Sequence, residues 1–221
     1  ITLAPNSVQE MVDFVGLGLE LAFKYRNPAL ILSDGIIGQM MEKVILPPFK
    51  KRRTEDEIRK QCPWATLGRK GGRQPNIITS LELDSAVMEQ NNLRFQKKYA
   101  EIEANEVRYE EYQTEDADYI LVAFGSSARI CNKTVQLARQ QGIKAGILRP
   151  ITLWPFPTKE IAKLADRAKG FLVAELNAGQ MIEDVRLAVN GKVPVEHYGR
   201  MGGMLFSPDE ILQALKEKVI K

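Results

Sequence analysis

The chain has 221 residues, 44% hydrophobic and 27% charged, with a net charge of +3. That length suits one large or two small domains, and the balance is that of an ordinary globular protein rather than a disordered or fibrous one. So small a charge gives no reason to expect a nucleic-acid partner. No apolar run approaches the ~20 residues of a membrane span, so a cytoplasmic protein is expected.

The first elements come in quick succession. Ser7 and Glu10 have the spacing of a capping box, which predicts a helix from Val8 to about Tyr25. Val8, Met11, Val12, Val15, Leu19 and Phe23 form its expected inward face. Pro28–Ser33 reads as a buried strand, Asp34-Gly35 as a turn, and Met40–Val44 as a short helix. One helix and one strand in about 45 residues cannot build their own sheet. Residues 1–46 are therefore expected to be the end of a domain whose first half lies upstream.

Residues 47–115 read as a linker and a long helix. Pro47-Pro48 breaks the pattern, and the basic run Lys50–Arg53 is followed at once by Glu55, Asp56 and Glu57. Without interleaved aromatic residues this is a solvated connector, not a nucleic-acid patch. Residues 68–75 are glycine-rich and basic, as in a mobile loop, and match no phosphate-binding loop. Leu83 to Tyr109 favours one long helix. Its thin stripe of Val87, Asn91, Phe95, Tyr99, Ile102 and Glu106 needs cover from its own chain or a partner.

Residues 116–221 carry the clearest pattern. Tyr119–Phe124 is a continuous apolar run, as in a strand buried on both faces. A turn at Gly125-Ser126-Ser127 leads to a helix with Ile130, Val135, Leu137 and Ala138 inward and Gly142 at its end. Ile143–Leu148 is a second buried strand, stopped by Arg149-Pro150. Strand, helix, strand in about thirty residues is a right-handed crossover, so a mostly parallel sheet is expected, with helices on both faces. Thr158 is the expected cap of the next helix, Phe171–Ala174 a third strand, and Gly179–Val189 a helix ended by Asn190-Gly191. Val193–Tyr198 is an edge strand because of Pro194. Ser207–Glu210 is a capping box with proline at the first helical position. The three prolines 150, 155 and 157 are expected to prevent ladder pairing. They hold Trp154 and Phe156 in fixed directions, as core caps or as anchors for another subunit.

In an open parallel sheet, ligands meet the carboxyl ends of the strands. The turn at Gly125 lacks two glycines of the dinucleotide fingerprint, so NADP, with Arg149 meeting its 2′-phosphate, is a weak alternative. The helix start at Ser127 suits an anion, although a plain serine cap is favoured. His197, the single histidine, has no nucleophile nearby in sequence and is read as structural or interfacial. Glu175 and Asn177 suit oriented polar contacts. No catalytic residue is assigned. Two separated cysteines, Cys62 and Cys131, read as free thiols. With one histidine they cannot hold an iron–sulfur cluster or a closed zinc site.

The segments DADYILVAFGSSA (116–128), LRPITLWPFP (148–157), AELNAGQM (174–181) and GRMGGM (199–204) resemble the α subunit of 2-oxoacid:ferredoxin oxidoreductases. APNSVQEM (4–11) and PALILSDGIIGQM (28–40) resemble the end of that family's pyrimidine-binding domain. The 2-ketoisovalerate members are nearest, with 2-oxoglutarate members, or a non-catalytic interaction domain, as alternatives. The resemblance implies a transketolase C-terminal-like domain for residues 116–221. It also implies oxidative decarboxylation of a 2-oxo acid on thiamine diphosphate and magnesium, with acyl-CoA formed and electrons passed through iron–sulfur clusters to ferredoxin. The cofactor-activating glutamate, the magnesium motif and the cluster cysteines lie outside the matched segments. Other subunits are thus expected as partners, and no cofactor is expected on this chain alone.

Overall fold

A computed structural model describes residues 1–66, 68 and 72–220. They fall into two compact bodies, Ile1–Ile45 with Tyr99–Lys221, and Leu46–Lys98.

The first body is built on a five-stranded sheet of β3 (Tyr109–Tyr112), β4 (Tyr119–Val122), β5 (Ala145–Pro150), β7 (Gly170–Glu175) and β8 (Val195–Gly199), in the order β3-β5-β4-β7-β8. β4 is parallel to β5 and β7, and β8 is parallel to β7, as the crossover pattern predicts. Side chains alternate between the faces. Ile120, Val122, Leu148, Phe171 and Val173 pack with Ile161 and Leu164 of α6 (Thr158–Ala165) and Val185 of α7 (Met181–Val189). Leu121, Ile147 and Leu172 pack with Val135 of α5 (Gly125–Gln140) and Ile211 and Leu215 of α8 (Pro208–Leu215). Full burial of each such side chain stabilises by about 1.5–3 kcal/mol. The Ser207–Glu210 capping box forms as read, and α8 runs on into a π-helical turn, Lys216–Ile220.

The helix expected to reach Tyr109 stops earlier, as α4 (Ser85–Asn105), and β3 pairs antiparallel with β5, Tyr109 facing Pro150 and Tyr112 facing Ile147. All four residues of β3 are exposed, so it lacks the apolar alternation that marks a strand. α6 begins without a side-chain cap from Thr158, which is its first helical residue rather than its N-cap.

In the front segment, α1 (Val8–Tyr25) forms as expected but turns a different face inward. Phe14, Gly18, Leu21 and Tyr25 are buried, whereas Val15, Leu19 and Phe23 stay 52%, 58% and 49% exposed. The helix carries apolar residues on two stripes, and periodicity cannot choose between them. Tertiary packing chooses, because Leu21 and Tyr25 join Ile1 and Ile102 in a buried cluster. The expected buried strand at Pro28–Ser33 shrinks to the two-residue β2 (Leu30–Ile31), half open to solvent. The expected helix at Met40–Val44 falls instead at α2 (Gly35–Gln39), where the Asp34 carboxylate caps it.

β1 (Thr2–Leu3) pairs parallel with β2 and antiparallel with β6 (Thr152–Trp154). The front segment thus borrows a strand from the second half of the chain. The prolines flanking β6 do not forbid this ladder, because residues 152–154 keep their own N–H groups.

The second body holds α3 (Glu55–Gln61), with a Thr54/Glu57 capping box, and most of α4. Asn76 Nδ2 donates to the Trp64 carbonyl at 2.9 Å. Within the expected basic loop, residues 69–71 lie outside the described residues.

Candidate functional site at the carboxyl edge of the sheet

Three polar clusters gather where β4, β5 and β7 end. In the first, α5 starts after Phe124 with no side-chain cap from its own sequence. The Ser126 N–H donates instead to Asp34 Oδ2, at 2.8 Å, while Asp34 Oδ1 accepts from Ile36 and Ile37 N–H at 3.1 and 2.9 Å. One carboxylate thus caps two helices from distant parts of the chain, and complements the positive end of α5. Gly125 makes the approach possible: its φ is +59°, and a Cβ there would lie 2.7 Å from Asp34 Oδ2. The serine cap favoured for this helix start does not form, and the anion that meets it is a side chain of the protein itself.

In the second cluster Arg149, at the end of β5, is 3% exposed. Its Nη2 donates to Glu10 Oε2 at 2.5 Å and to the Ala4 carbonyl at 3.3 Å, and Nη1 donates to Glu110 Oε2 at 2.7 Å. Glu10 also accepts from the Asn6 N–H at 2.8 Å, rather than closing the capping box on Ser7. An open cavity of about 520 Å³ beside this cluster is lined by Glu110, Tyr112, Asn132, Gln136 and Arg149. With Arg149 held by two carboxylates and the α5 start held by Asp34, neither group is left for a dinucleotide phosphate.

In the third, Glu175 accepts from the N–H groups of Gln180, Met181 and Ile182 at 3.1, 2.8 and 3.1 Å, capping α7. Asn177 Oδ1 accepts from Gly179 N–H at 2.7 Å. These are the oriented contacts read from the sequence, and both serve the backbone. His197 Nε2 is buried 3.7 Å from Glu175 Oε1. Burial, then the Glu175 and Glu183 charges, push the nearby Asp184 carboxyl up.

A fourth cluster, below α1, was not legible as a site. Glu106 accepts from Lys24 Nζ at 2.7 Å, Tyr25 Oη at 2.6 Å and Arg108 Nη1 at 2.9 Å. Burial alone would raise its pKa, but these three donors outweigh it and hold the group at about 2. The one signal was a glutamate that continues a stripe of mainly apolar residues, Phe95, Tyr99 and Ile102.

Trp154 makes a T-shaped contact with Tyr99, ring centroids 5.7 Å apart, against Ile1, Leu21, Tyr25 and Ile102. Phe156 packs on the α6–α7 face of the sheet. Both cysteines are free and buried, and burial pushes the Cys131 thiol far up. Among the described residues no three His, Cys, Asp or Glu side chains are grouped to hold a metal, and no helix is long and apolar enough to cross a membrane. The carboxylates at the sheet edge are committed to backbone N–H groups or Arg149. The donor set of these clusters therefore does not fit a metal-held diphosphate.

Residues 1–116 match the family described as pyruvate flavodoxin/ferredoxin oxidoreductase, thiamine diphosphate-binding, and residues 117–211 match pyruvate:ferredoxin oxidoreductase core domain II. The ketoisovalerate oxidoreductase subunit VorB of Methanothermobacter marburgensis is 46% identical over 217 residues, 98% of this chain and 60% of that protein. The 2-oxoglutarate synthase subunit KorA of the same organism is 32% identical, across 97% of this chain and 63% of its own length. The chain thus spans about three fifths of these relatives. Among solved structures, the 2-oxoglutarate:ferredoxin oxidoreductase of Magnetococcus marinus superimposes with a TM-score of 0.75 at 22% identity, covering 99% of this chain and 42% of that one, and so shares the fold. With both halves matched in order, the chain belongs to the pyruvate flavodoxin/ferredoxin oxidoreductase family.

Proposed function

We propose that this chain is part of a subunit of a thiamine diphosphate-dependent 2-oxoacid:ferredoxin oxidoreductase that acts on a branched-chain 2-oxo acid in the cytoplasm. The observation that carries the substrate class is the difference in identity. It is 46% to a ketoisovalerate oxidoreductase subunit and 32% to a 2-oxoglutarate synthase subunit over nearly the same stretch. In this reading residues 1–46 close one cofactor-binding domain, residues 47–115 link it, and residues 116–221 form the assembly domain. Asp34 and Arg149 support the cofactor-binding domain by fastening the front segment to the rigid sheet. Magnesium, iron–sulfur clusters, coenzyme A and ferredoxin belong to the assembled enzyme, whose other subunits supply the missing ligands. The partly exposed edges of Trp154 and Phe156 are proposed contacts with one of them, and Trp154→Ala should weaken that association by about 2 kcal/mol.

The test is ferredoxin reduction by the full-length subunit assembled with its partners. Coenzyme A-dependent turnover is expected with 2-ketoisovalerate at a kcat/KM at least about tenfold above that with 2-oxoglutarate. Preference for 2-oxoglutarate or pyruvate would overturn the substrate class.

A further inference from the structure

The second body, Leu46–Lys98, differs from the rest of the chain in both charge and packing. Its sequence holds twelve lysines and arginines against six acidic residues, a net +6. The whole chain carries +3, so the other body is acidic, at −3. Three of the six acidic residues are committed within the chain. Glu57 accepts from the Thr54 N–H and hydroxyl at 2.7 and 3.0 Å. Glu55 pairs with Arg59 at 3.1 Å, and Asp84 Oδ1 accepts from Ala86 and Val87 N–H at 2.8 and 3.3 Å. Lys51, Arg52, Lys60 and Lys97 are exposed, and among the described residues they make no ion pair. Packing is equally distinct: among the described residues of this body the only buried apolar side chain is Cys62. Phe49, Ile77, Ile78, Leu81 and Leu83 are 73–97% exposed. Some fifty residues without a core bury too little to offset the entropy of ordering them.

We propose that the second body is a docking module for an acidic protein surface, carried by another subunit of the oxidoreductase. Which protein carries that surface rests on the function proposed above, whereas its chemistry rests on charge and exposure alone. A net +6 calls for a surface of opposite sign, and complementary charge speeds encounter and fixes orientation. The exposed isoleucines and leucines supply the apolar contact that holds the complex, and the segment gains its order as it docks. A membrane suits this body less. Residues 77–83 form no helix, and α4 sets Glu89 among its exposed apolar residues where a clean apolar face is needed. Nucleic acid suits it less as well, because residues 77–83 expose aliphatic side chains, with no ring for base stacking.

The test is association of the full-length subunit with the purified remaining subunits, followed as rates across salt. Affinity should fall at least about tenfold between about 0.1 and 1 M salt, where the screening length shrinks from about 10 Å to about 3 Å. Lys51→Glu, Arg52→Glu and Arg53→Glu together should slow association at least about tenfold. Charge reversal at the exposed Lys159 and Lys163 of α6 should leave the rate unchanged, because it alters net charge outside the second body. Ile77→Ser with Ile78→Ser should instead speed dissociation and keep the salt dependence. Amides of residues 72–83 should gain protection from hydrogen exchange in the complex. Association that ignores both salt and the triple reversal, or residues 72–83 left unprotected, would overturn the docking. So would tighter binding to phosphatidylserine vesicles or to single-stranded DNA than to the subunits. Self-association of the chain that the triple reversal abolishes would overturn it too. Ferredoxin reduction separates the two readings: subunits that dock as described but turn over no 2-oxo acid would refute the function and leave the docking standing.

Discussion

The five-stranded sheet and the front segment belong to one body, yet they are held by different forces. The sheet keeps Ile120, Leu121, Phe171 and Leu172 out of water on both faces, covered by four helices. The front segment leaves Val15, Leu19 and Phe23 of α1 exposed and has strands of two residues each. It is tied on through Asp34, Glu10–Arg149 and the Glu106 cluster. Apolar burial is non-directional and yields a frame that tolerates small changes of shape. Buried charge clusters depend on each partner, because removing one strands the other. The difference teaches where substitutions should act globally and where they should release one segment.

The largest effect is expected in the frame. Phe171→Ala removes a fully buried side chain from the central face and should cost about 3–5 kcal/mol, lowering the urea midpoint of the whole body in one transition. A small loss would mean that the sheet core is looser than its burial implies. Next comes Arg149→Met, which leaves Glu10 and Glu110 without their shared cation and should cost about 3 kcal/mol. Adding Glu10→Gln should recover part of this, and strict additivity would argue against a coupled cluster. Acid should reproduce part of the same loosening at Glu106. Its folded-state pKa of about 2 lies below the ordinary 4.5, so the stabilisation is complete above about pH 4.5 and disappears as pH falls towards 2. The gap corresponds to about 3 kcal/mol, an upper figure because Lys24 is largely exposed. Urea midpoints between pH 6 and 3 should fall steeply in the wild type and less in Glu106→Gln. The smallest effect is at Gly125→Ala, where a positive φ and the Asp34 contact together should cost about 1–2 kcal/mol. Asp34→Ala in the same chain should remove the contact but not the backbone strain.

The frame was readable because its signals are local and redundant. Tyr119–Val122 and Gly170–Glu175 are continuous apolar runs, and Ser207–Glu210 and Asn190-Gly191 are short capping patterns whose geometry the structure reproduces. β3 was missed because Tyr109–Tyr112 is exposed, so nothing in its composition separates it from a fraying helix. α1 was placed but turned to the wrong face, because two apolar stripes compete and only the distant partners Ile1 and Ile102, packed against Leu21 and Tyr25, decide between them. The polar edge was half legible. Glu175 and Asn177 contact backbone five and two residues away, and the sequence pointed to them. Asp34 meets Ser126 across 92 positions, and Arg149 meets Glu10 across 139. No spacing rule reaches so far. The resemblance supplied the family without supplying either contact.

The most direct test of a charge-fastened front on an apolar frame is residue-resolved hydrogen exchange on Arg149→Met, at neutral pH in the otherwise unchanged chain. Amides of residues 8–25 should exchange about a hundredfold faster than in the wild type, as expected for a local opening made easier by about 3 kcal/mol. Those of residues 119–122 and 170–175 should keep their protection. Equal acceleration across both regions would show that Arg149 supports the whole body, and unchanged exchange in residues 8–25 would show that it fastens nothing.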